Sequence, residues 1–224
     1  MSEVLYGGLP FLEAIEFLRK KSNVTTKHWD ELLGAVHRKV FTVAGAQKEA
    51  LLNDLRTAVQ QAVDNGTTIT EFRKSFDKTV TKYGWNYKGK RGWRTRVIYD
   101  TNMRTANMAG KWHKIQETKE NRPYLKYITV GDERTRDEHA AWDGIVLPID
   151  DKFWNTHYPP NGRGCRCTVL TLSKSQAKRT GVNRSPKIEK TERTNIQTGE
   201  NYGSVPKGID TGWDYNVGKD YFEN

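Results

Sequence analysis

The sequence predicts an α+β protein, with a helical N-terminal half, then a small strand-containing module and an extended C-terminal arm. Apolar residues recur at helical spacing through the first 81 residues. Short segments rich in β-branched and aromatic residues follow between positions 124 and 172. The remainder is polar and interrupted by Gly and Pro. We therefore expect a helical region at 1–81, a core module at 82–172 and an arm at 173–224.

Four helices are predicted in the N-terminal region. Pro10 suits the first turn of the first helix, Thr26 is expected to cap the second, and Gly66 to end the third. Thr68 and Glu71 have the spacing of a capping box, so the fourth begins there. The apolar stripes that define these helices are Phe11, Ile15 and Leu18; Trp29, Leu33, Val36 and Val40; Leu52, Leu55, Val59 and Ala62; and Phe72, Phe76 and Val80.

Positive charge is concentrated in one segment of the chain. Residues 82–126 contain 12 Lys and Arg against 3 Asp and Glu, a net +9 of the +10 carried by the whole chain. The flanking segments 1–81, 127–172 and 173–224 carry +1, −2 and +2. Such a local field attracts polyanions, and the alternative is a basic face that only contacts water.

This basic segment begins with a loop in which aromatic and basic residues alternate, YGWNYKGKRGWRTR at 83–96. The aromatic residues Tyr83, Trp85, Tyr87 and Trp93 can stack on bases while the basic ones contact phosphates. The favoured interpretation places the aromatic rings in the core and the lysines in water.

A long amphipathic helix is predicted from Thr95 to about Glu117. Four of its basic residues fall within one quadrant of a helical wheel, opposite its apolar residues, and suit contact with an acidic surface. We expect eight residues to contact DNA phosphates without reading sequence: Lys88, Lys90, Arg91, Arg94, Arg96, Arg104, Lys111 and Lys114.

Beyond this helix, strands are expected at YLKYITV (124–130), IVL (145–147) and TVLTL (168–172). A short helix is expected around Asp137–Trp142, with a turn at Asp143 and Gly144. The C-terminal arm has too little apolar periodicity for a core of its own, although its aromatic residues can dock on a neighbour: Trp213, Tyr215, Tyr221 and Phe222.

The two cysteines, Cys165 and Cys167, lie in the turn-rich stretch YPPNGRGCRC at 158–167. A disulfide between residues so close in sequence would be strained. Its formation is also opposed in a reducing cytosol, where a chain without a signal-peptide pattern is expected. A metal site and a packed structural corner remain as alternatives.

Several pieces of the sequence together resemble the phage Mu protein F-like family of head morphogenesis proteins. They are the helix YDTNMRTANMAGKW, then DERTRDEHAAWDG, then YPPNGRGCRCTVL, preceded by GTTITEF and YGWNYKG and followed by GWDYNVGK. The resemblance implies a minor capsid protein of a tailed phage that acts in procapsid assembly. It also implies association with the portal, the capsid interior and the packaged DNA. The expected location is the virion, at the capsid interior or portal vertex, and the host cytoplasm during assembly.

The resemblance also bears on the cysteines. In many relatives a second cysteine pair stands where this chain has Arg136 and His139, and a histidine stands at Gly162, a set that looks like a zinc knuckle. Here His139, Cys165 and Cys167 remain, with Asp132 or His157 as candidate fourth ligands. We expect no cofactor, with zinc as the less favoured alternative. In its place we expect a structural polar network of Asp132, Arg136 and Asp143 with His139, bracing the cysteine loop.

An enzyme is the alternative to a virion component. His139 with Asp137, Glu138 and Asp143 can imitate the site of a metal-dependent nuclease or a toxin-like enzyme acting on nucleic acid. No combination of nucleophile, base and oxyanion donor can be assembled from these residues. We expect no catalytic residues. No apolar run approaches the about 20 residues that cross a membrane, so no membrane partner is expected.

Overall fold

The structure, a computed structural model, describes residues 11–196 and 198–219 and confirms the α+β class. Pro10, Tyr221 and Phe222, which carried predictions above, lie outside the described residues. The chain forms two compact units. Among the described residues, the first comprises 11–32 and Val36–Lys111, and the second comprises Leu33–Ala35, 112–196 and 198–219.

The first unit is built on helices. They are α1 (Leu12–Arg19), α2 (Glu49–Asn65), α3 (Ile69–Tyr83) and the first part of α4 (Arg91–Glu117). Gly66 ends α2 in the left-handed conformation, with φ of 65°. Thr68 and Glu71 form the predicted capping box: Thr68 Oγ1 accepts from the Glu71 amide and the Glu71 carboxylate accepts from the Thr68 amide. These boundaries confirm the sequence prediction.

The predicted second helix is wrong. The region instead holds strands β1 (Ser22–Asn23) and β2 (Val40–Phe41), which pair in parallel, and a 3-10 turn at Gly34–Arg38. Thr26 does not cap a helix, because it is buried and its hydroxyl hydrogen-bonds the Thr42 hydroxyl at 2.9 Å. Backbone pairing between these extended segments satisfies polar groups that a helix would have satisfied internally.

The core of the first unit lies between α2 and α3. Both helices carry apolar residues at helical spacing, which form one buried face each. Gly110 of α4 allows a close approach by α1, since a Cβ there would lie 2.8 Å from the Ala14 amide nitrogen. Members of this core that are at most 2% exposed include Leu18, Phe41, Leu52, Leu55, Val59, Phe72 and Phe76.

The second unit contains an antiparallel sheet of order β4–β3–β5, formed by β3 (Tyr124–Ile128), β4 (Val146–Pro148) and β5 (Thr168–Leu172). Leu125 and Tyr127 of the central strand are fully buried, as the alternating pattern predicts. Helix α5 (Asp137–Trp142) has the predicted bounds, and α6 (Trp154–His157) precedes the cysteine loop.

The segment after residue 172 has local structure of its own. It contains α7 (Lys174–Thr180) and an antiparallel hairpin of β6 (Lys190–Thr194) and β7 (Asn201–Pro206). Val205, Ile209 and Val217 are buried within the second unit. Much of the hairpin itself is exposed.

Helix α4 begins four residues earlier than predicted and is buried over most of its circumference. Buried residues between Met103 and Ile115, including Thr105, Met108 and Trp112, lie on all sides except the quadrant that contains the basic residues. The expected basic stripe is therefore present on the one side of this helix that has no buried residue: Arg96 and Lys114 are exposed there, and Arg104 and Lys111 are half-buried. Burial lowers the pKa of Lys111.

Candidate functional site

A buried cluster of one histidine and two cysteines lies at a corner of the second unit. Helix α5 positions His139, and the loop before β5 positions Cys165 and Cys167. The Nδ1 atom of His139 lies 3.8 Å from Cys165 Sγ and 3.4 Å from Cys167 Sγ. The exposed fractions of the three residues are 2%, 5% and 9%. We call His139, Cys165 and Cys167 the cysteine corner.

The hydrogen bonds of His139 determine which ring nitrogen carries the proton. Nε2 lies 2.9 Å from the carbonyl oxygen of Gly208, which can only accept, so Nε2 donates. Nδ1 therefore presents its lone pair to the two thiols when the ring is neutral. The ring stacks on Trp142 with a centroid distance of 5.0 Å. The orientation of His139 is thus determined on three sides.

The two cysteines are reduced and influence each other. A hydrogen bond from the Cys167 thiol lowers the pKa of Cys165, with a smaller contribution in the same direction from His139. The same thiol–thiol contact, together with burial, raises the pKa of Cys167. The pair therefore holds its last proton strongly, which suits a static corner, whereas a metal ion would require both thiols to be deprotonated.

Arg136 and Asp210 close the corner on another side. The guanidinium donates to both Asp210 oxygens, at 2.8 and 3.0 Å, and to the carbonyl of Arg163 at 3.1 Å. Asp210 also accepts from the Arg163 amide at 2.9 Å, and its own amide donates to the Asn161 carbonyl at 3.1 Å. These bonds connect the segment after β7 to the cysteine loop. We call Arg136 and Asp210 the arginine clamp.

Other members of the predicted polar network lie elsewhere. Asp143 accepts from the Thr129 amide at 2.7 Å and is not the partner of Arg136. Asp132 pairs with Arg166 between the two cysteines, and that hydrogen bond lowers the pKa of Asp132. Asp210 was not identified from the sequence, because it lies 74 residues from Arg136. The sequence marks Asp210 only by the two glycines near it, Gly208 and Gly212, which have positive φ in the structure.

The cysteine corner provides part of a zinc site. Ligand atoms of its three residues lie within 4.8 Å of one another, and tetrahedral bonds of about 2.0–2.3 Å would place them about 3.6 Å apart. Neither candidate fourth ligand joins them: Asp132 is held by Arg166, and Nδ1 of His157 contacts the Thr156 hydroxyl at 2.8 Å. Within 11–196 and 198–219, these three residues are the metal-ligating group that the structure assembles.

Two positions at which the resemblance would place further metal ligands, 136 and 162, are occupied here by the arginine clamp and by a glycine packed against it. A Cβ at Gly162 would overlap the Asp210 carboxylate and lie 2.7 Å from Nη1 of Arg136. A guanidinium has no lone pair to donate and repels a cation. The donor set therefore fits three positions of a zinc ion and not a fourth. An ion, if bound, would be held by His139, Cys165 and Cys167.

Replacing Asp210 with Ala is expected to destabilise the second unit by about 1–2 kcal/mol. The change removes both bonds from Arg136 and the bond from the Arg163 amide, and partial exposure limits their contribution. Thermal unfolding followed by circular dichroism should show a midpoint lower by about 2–8 °C.

Asp132→Ala is the matched control for Asp210→Ala. It also removes a carboxylate that pairs with an arginine of this region, but Asp132 connects residues at the surface and does not join the segment after β7 to the loop. A smaller shift is expected. Equal shifts for the two variants would show that the arginine clamp has no special role.

The basic segment is the second candidate site, and its eight predicted DNA contacts differ in environment. Arg94 is only 8% exposed, donates to the Ala44 carbonyl, and lies with Cζ 5.4 Å from the centre of the Trp85 ring. Arg91 forms a two-bond pair with Asp77 at 2.7 and 2.5 Å. Lys114 contacts Glu117 at 3.3 Å. Arg94 is therefore a structural residue, and its assignment to DNA contact does not agree with its burial.

Five basic residues of this segment are exposed in the first unit. Lys82 and Arg91 pair with Asp54 and Asp77, and the other three are Lys88, Lys90 and Arg96. Lys88 and Lys90 flank Gly89 in the loop before α4, and Arg96 lies in the second turn of that helix. Their positions keep them available to a polyanion. We call Lys88, Lys90 and Arg96 the exposed basic set.

The protein is therefore of the α+β class, with one helical unit and one unit in which a small sheet adjoins the cysteine corner. Residues 53–170 match the model of the family described as phage Mu protein F like protein, and the chain belongs to that family. It is 35% identical to the capsid assembly protein F of Escherichia phage Mu, over 96% of this chain and 55% of that protein. It is 34% identical to the Mu-like prophage FluMu F protein of Haemophilus influenzae, over 88% of this chain and 54% of that protein.

The chain thus spans about half the length of the curated relatives it matches. No solved structure matches it. Among the helices that the structure describes, none combines the length and apolar character needed to cross a membrane.

Proposed function

We propose that this chain is a minor head protein that acts in the head morphogenesis of a tailed phage. The observation that carries the proposal is the 35% identity to a capsid assembly protein over 96% of the chain. The matched region includes the elements that build the cysteine corner. The name of the phage Mu relative describes capsid assembly and not catalysis.

We further propose that the protein contacts the packaged DNA through phosphates, without reading sequence, and docks on the portal or the capsid interior. The DNA contact is supported by the net +9 of residues 82–126 and by the exposed basic set. The N-terminal helices and the C-terminal segment are the proposed docking surfaces. The proposed location is the capsid interior or portal vertex, and the host cytoplasm while heads assemble.

We propose that the cysteine corner serves this function as a structural joint without a required metal. Its thiols and imidazole are buried, and the arginine clamp joins the loop to the segment after β7. This geometry does not support the nuclease alternative, because the groups that would act on a substrate already contact the protein. Both ring nitrogens of His139 face protein atoms, and Asp143 is held by the Thr129 amide.

Quantitative mass spectrometry of purified virions and empty procapsids tests the role in the head. The phage that encodes the chain should yield particles with a few to a few tens of copies, that is, on the order of a portal ring and far fewer than the main capsid subunits. Absence of the chain from both particles would contradict a virion component.

A further inference from the structure

One aromatic side chain in the basic segment is not used by the core. Tyr83, Trp85 and Tyr87 pack against the core of the first unit, as the favoured interpretation of the sequence expected. Trp93 differs, because 51% of its surface is exposed. Trp93 therefore keeps much of its large aromatic surface available to a ligand.

The indole of Trp93 is held in a defined place. Gly89 has φ of 87°, and a Cβ on it would lie 2.8 Å from Cε3 and 2.9 Å from Cζ3 of Trp93. The six-membered ring therefore lies directly against the backbone of Gly89, where no other residue leaves room. Trp93 itself is in the first turn of α4, so its backbone is fixed by that helix.

The exposed basic set lies close to this ring in the chain. Lys88 and Lys90 are the two chain neighbours of the glycine against which the indole rests. Arg96 lies three residues after Trp93 on α4, and residues at this spacing are neighbours on a helix surface. All three are exposed. An exposed aromatic ring on a fixed backbone, with basic residues next to it in the chain and one turn along the helix, suits a flat, uncharged base joined to phosphates.

We propose that Trp93 and the exposed basic set form a site for an unpaired base of single-stranded DNA. The base stacks on the free part of the indole, and the phosphates on either side contact Lys88, Lys90 and Arg96. A duplex keeps its bases stacked on each other, so it can use the cations but not the indole. The inference rests on the proposed DNA contact and adds a preference for an unpaired strand.

Fluorescence anisotropy with a labelled 12-nucleotide oligo-dT and a 12-base-pair duplex tests the site. Trp93→Ala should weaken oligo-dT binding by about 5- to 100-fold, the range expected for loss of one stacked base, and leave duplex binding within about twofold. Trp93→Phe should retain most of the affinity, since phenylalanine still offers an aromatic face. In addition, oligo-dT should quench tryptophan emission less in Trp93→Phe than in the unchanged protein.

Trp29→Ala is the control for the loss of an exposed tryptophan, since Trp29 is 41% exposed in the same unit. It should change neither affinity. Unchanged oligo-dT binding in Trp93→Ala, or equal losses for oligo-dT and duplex, would overturn the unpaired-base site while leaving the phosphate contact in place. No binding of either DNA to the unchanged protein would overturn the site and the proposed DNA contact together. The role in the head has its separate test in particle composition.

Discussion

A protein carrying Glu in place of Lys88, Lys90 and Arg96 is expected to lose at least about tenfold in affinity for duplex DNA at moderate salt. Each phosphate contact releases counterions, and three lost contacts should make the slope of log K against log salt shallower by about 3. The exposed basic set is on the surface, so the fold should be retained. Anisotropy titrations at several salt concentrations measure both quantities.

The matched control reverses two lysines and one arginine on another exposed surface, Lys174, Lys178 and Arg179 of α7. The total charge changes by the same amount, so a difference between the two triple variants reports the location of the charge. Equal losses would show that overall charge alone attracts DNA. Identical salt slopes for the unchanged protein and the first variant would remove the exposed basic set from the DNA contact.

Arg94 lies in the same segment, but its replacement is expected to change the stability of the first unit and not its DNA binding. Arg94→Ala removes a buried side chain that donates to the Ala44 carbonyl and packs on Trp85, so its effect should appear in the unfolding of the first unit. Charge reversal at Arg104 or Lys111 is likewise a poor probe of DNA contact, because both side chains are half-buried.

His139→Ala is expected to destabilise the second unit by about 2–4 kcal/mol. The change removes a ring that is 2% exposed and stacked on Trp142, and leaves the Gly208 carbonyl without its donor. Thermal unfolding followed by circular dichroism should show a midpoint lower by about 5–15 °C. An unchanged midpoint would show that His139 does not hold the corner.

His139→Gln separates the contributions of this histidine. The glutamine amide can still donate to the Gly208 carbonyl but lacks the lone pair that Nδ1 presents to the thiols, so about half of the loss should return. Metal analysis completes the test. Two results together would show that the cysteine corner is a metal site and not a metal-free joint. The unchanged protein would contain one zinc per chain that His139→Ala lacks, and a chelator would lower the unfolding midpoint of the unchanged protein as much as His139→Ala does.

Local patterns were sufficient for elements whose cause is local. Gly66 ends α2 because glycine adopts positive φ without strain, and Thr68 with Glu71 begins α3 because their side chains satisfy the first free amides. The bounds of α5 and the strands around Leu125 and Val169 follow from period and flanking turns in the same way. The predicted second helix failed because pairing between two distant extended segments outweighed local spacing.

The sequence by itself determined the α+β class, the main helices and strands, the location of the excess charge and the resemblance to its family. Only the tertiary structure decided how neighbouring residues of one type differ: Arg94 is buried and Lys90 is exposed, while Trp85 packs in the core and Trp93 does not. It also decided that Asp210 and not Asp143 closes on Arg136. Burial and long-range pairing depend on which surfaces meet after folding, and no local spacing encodes that.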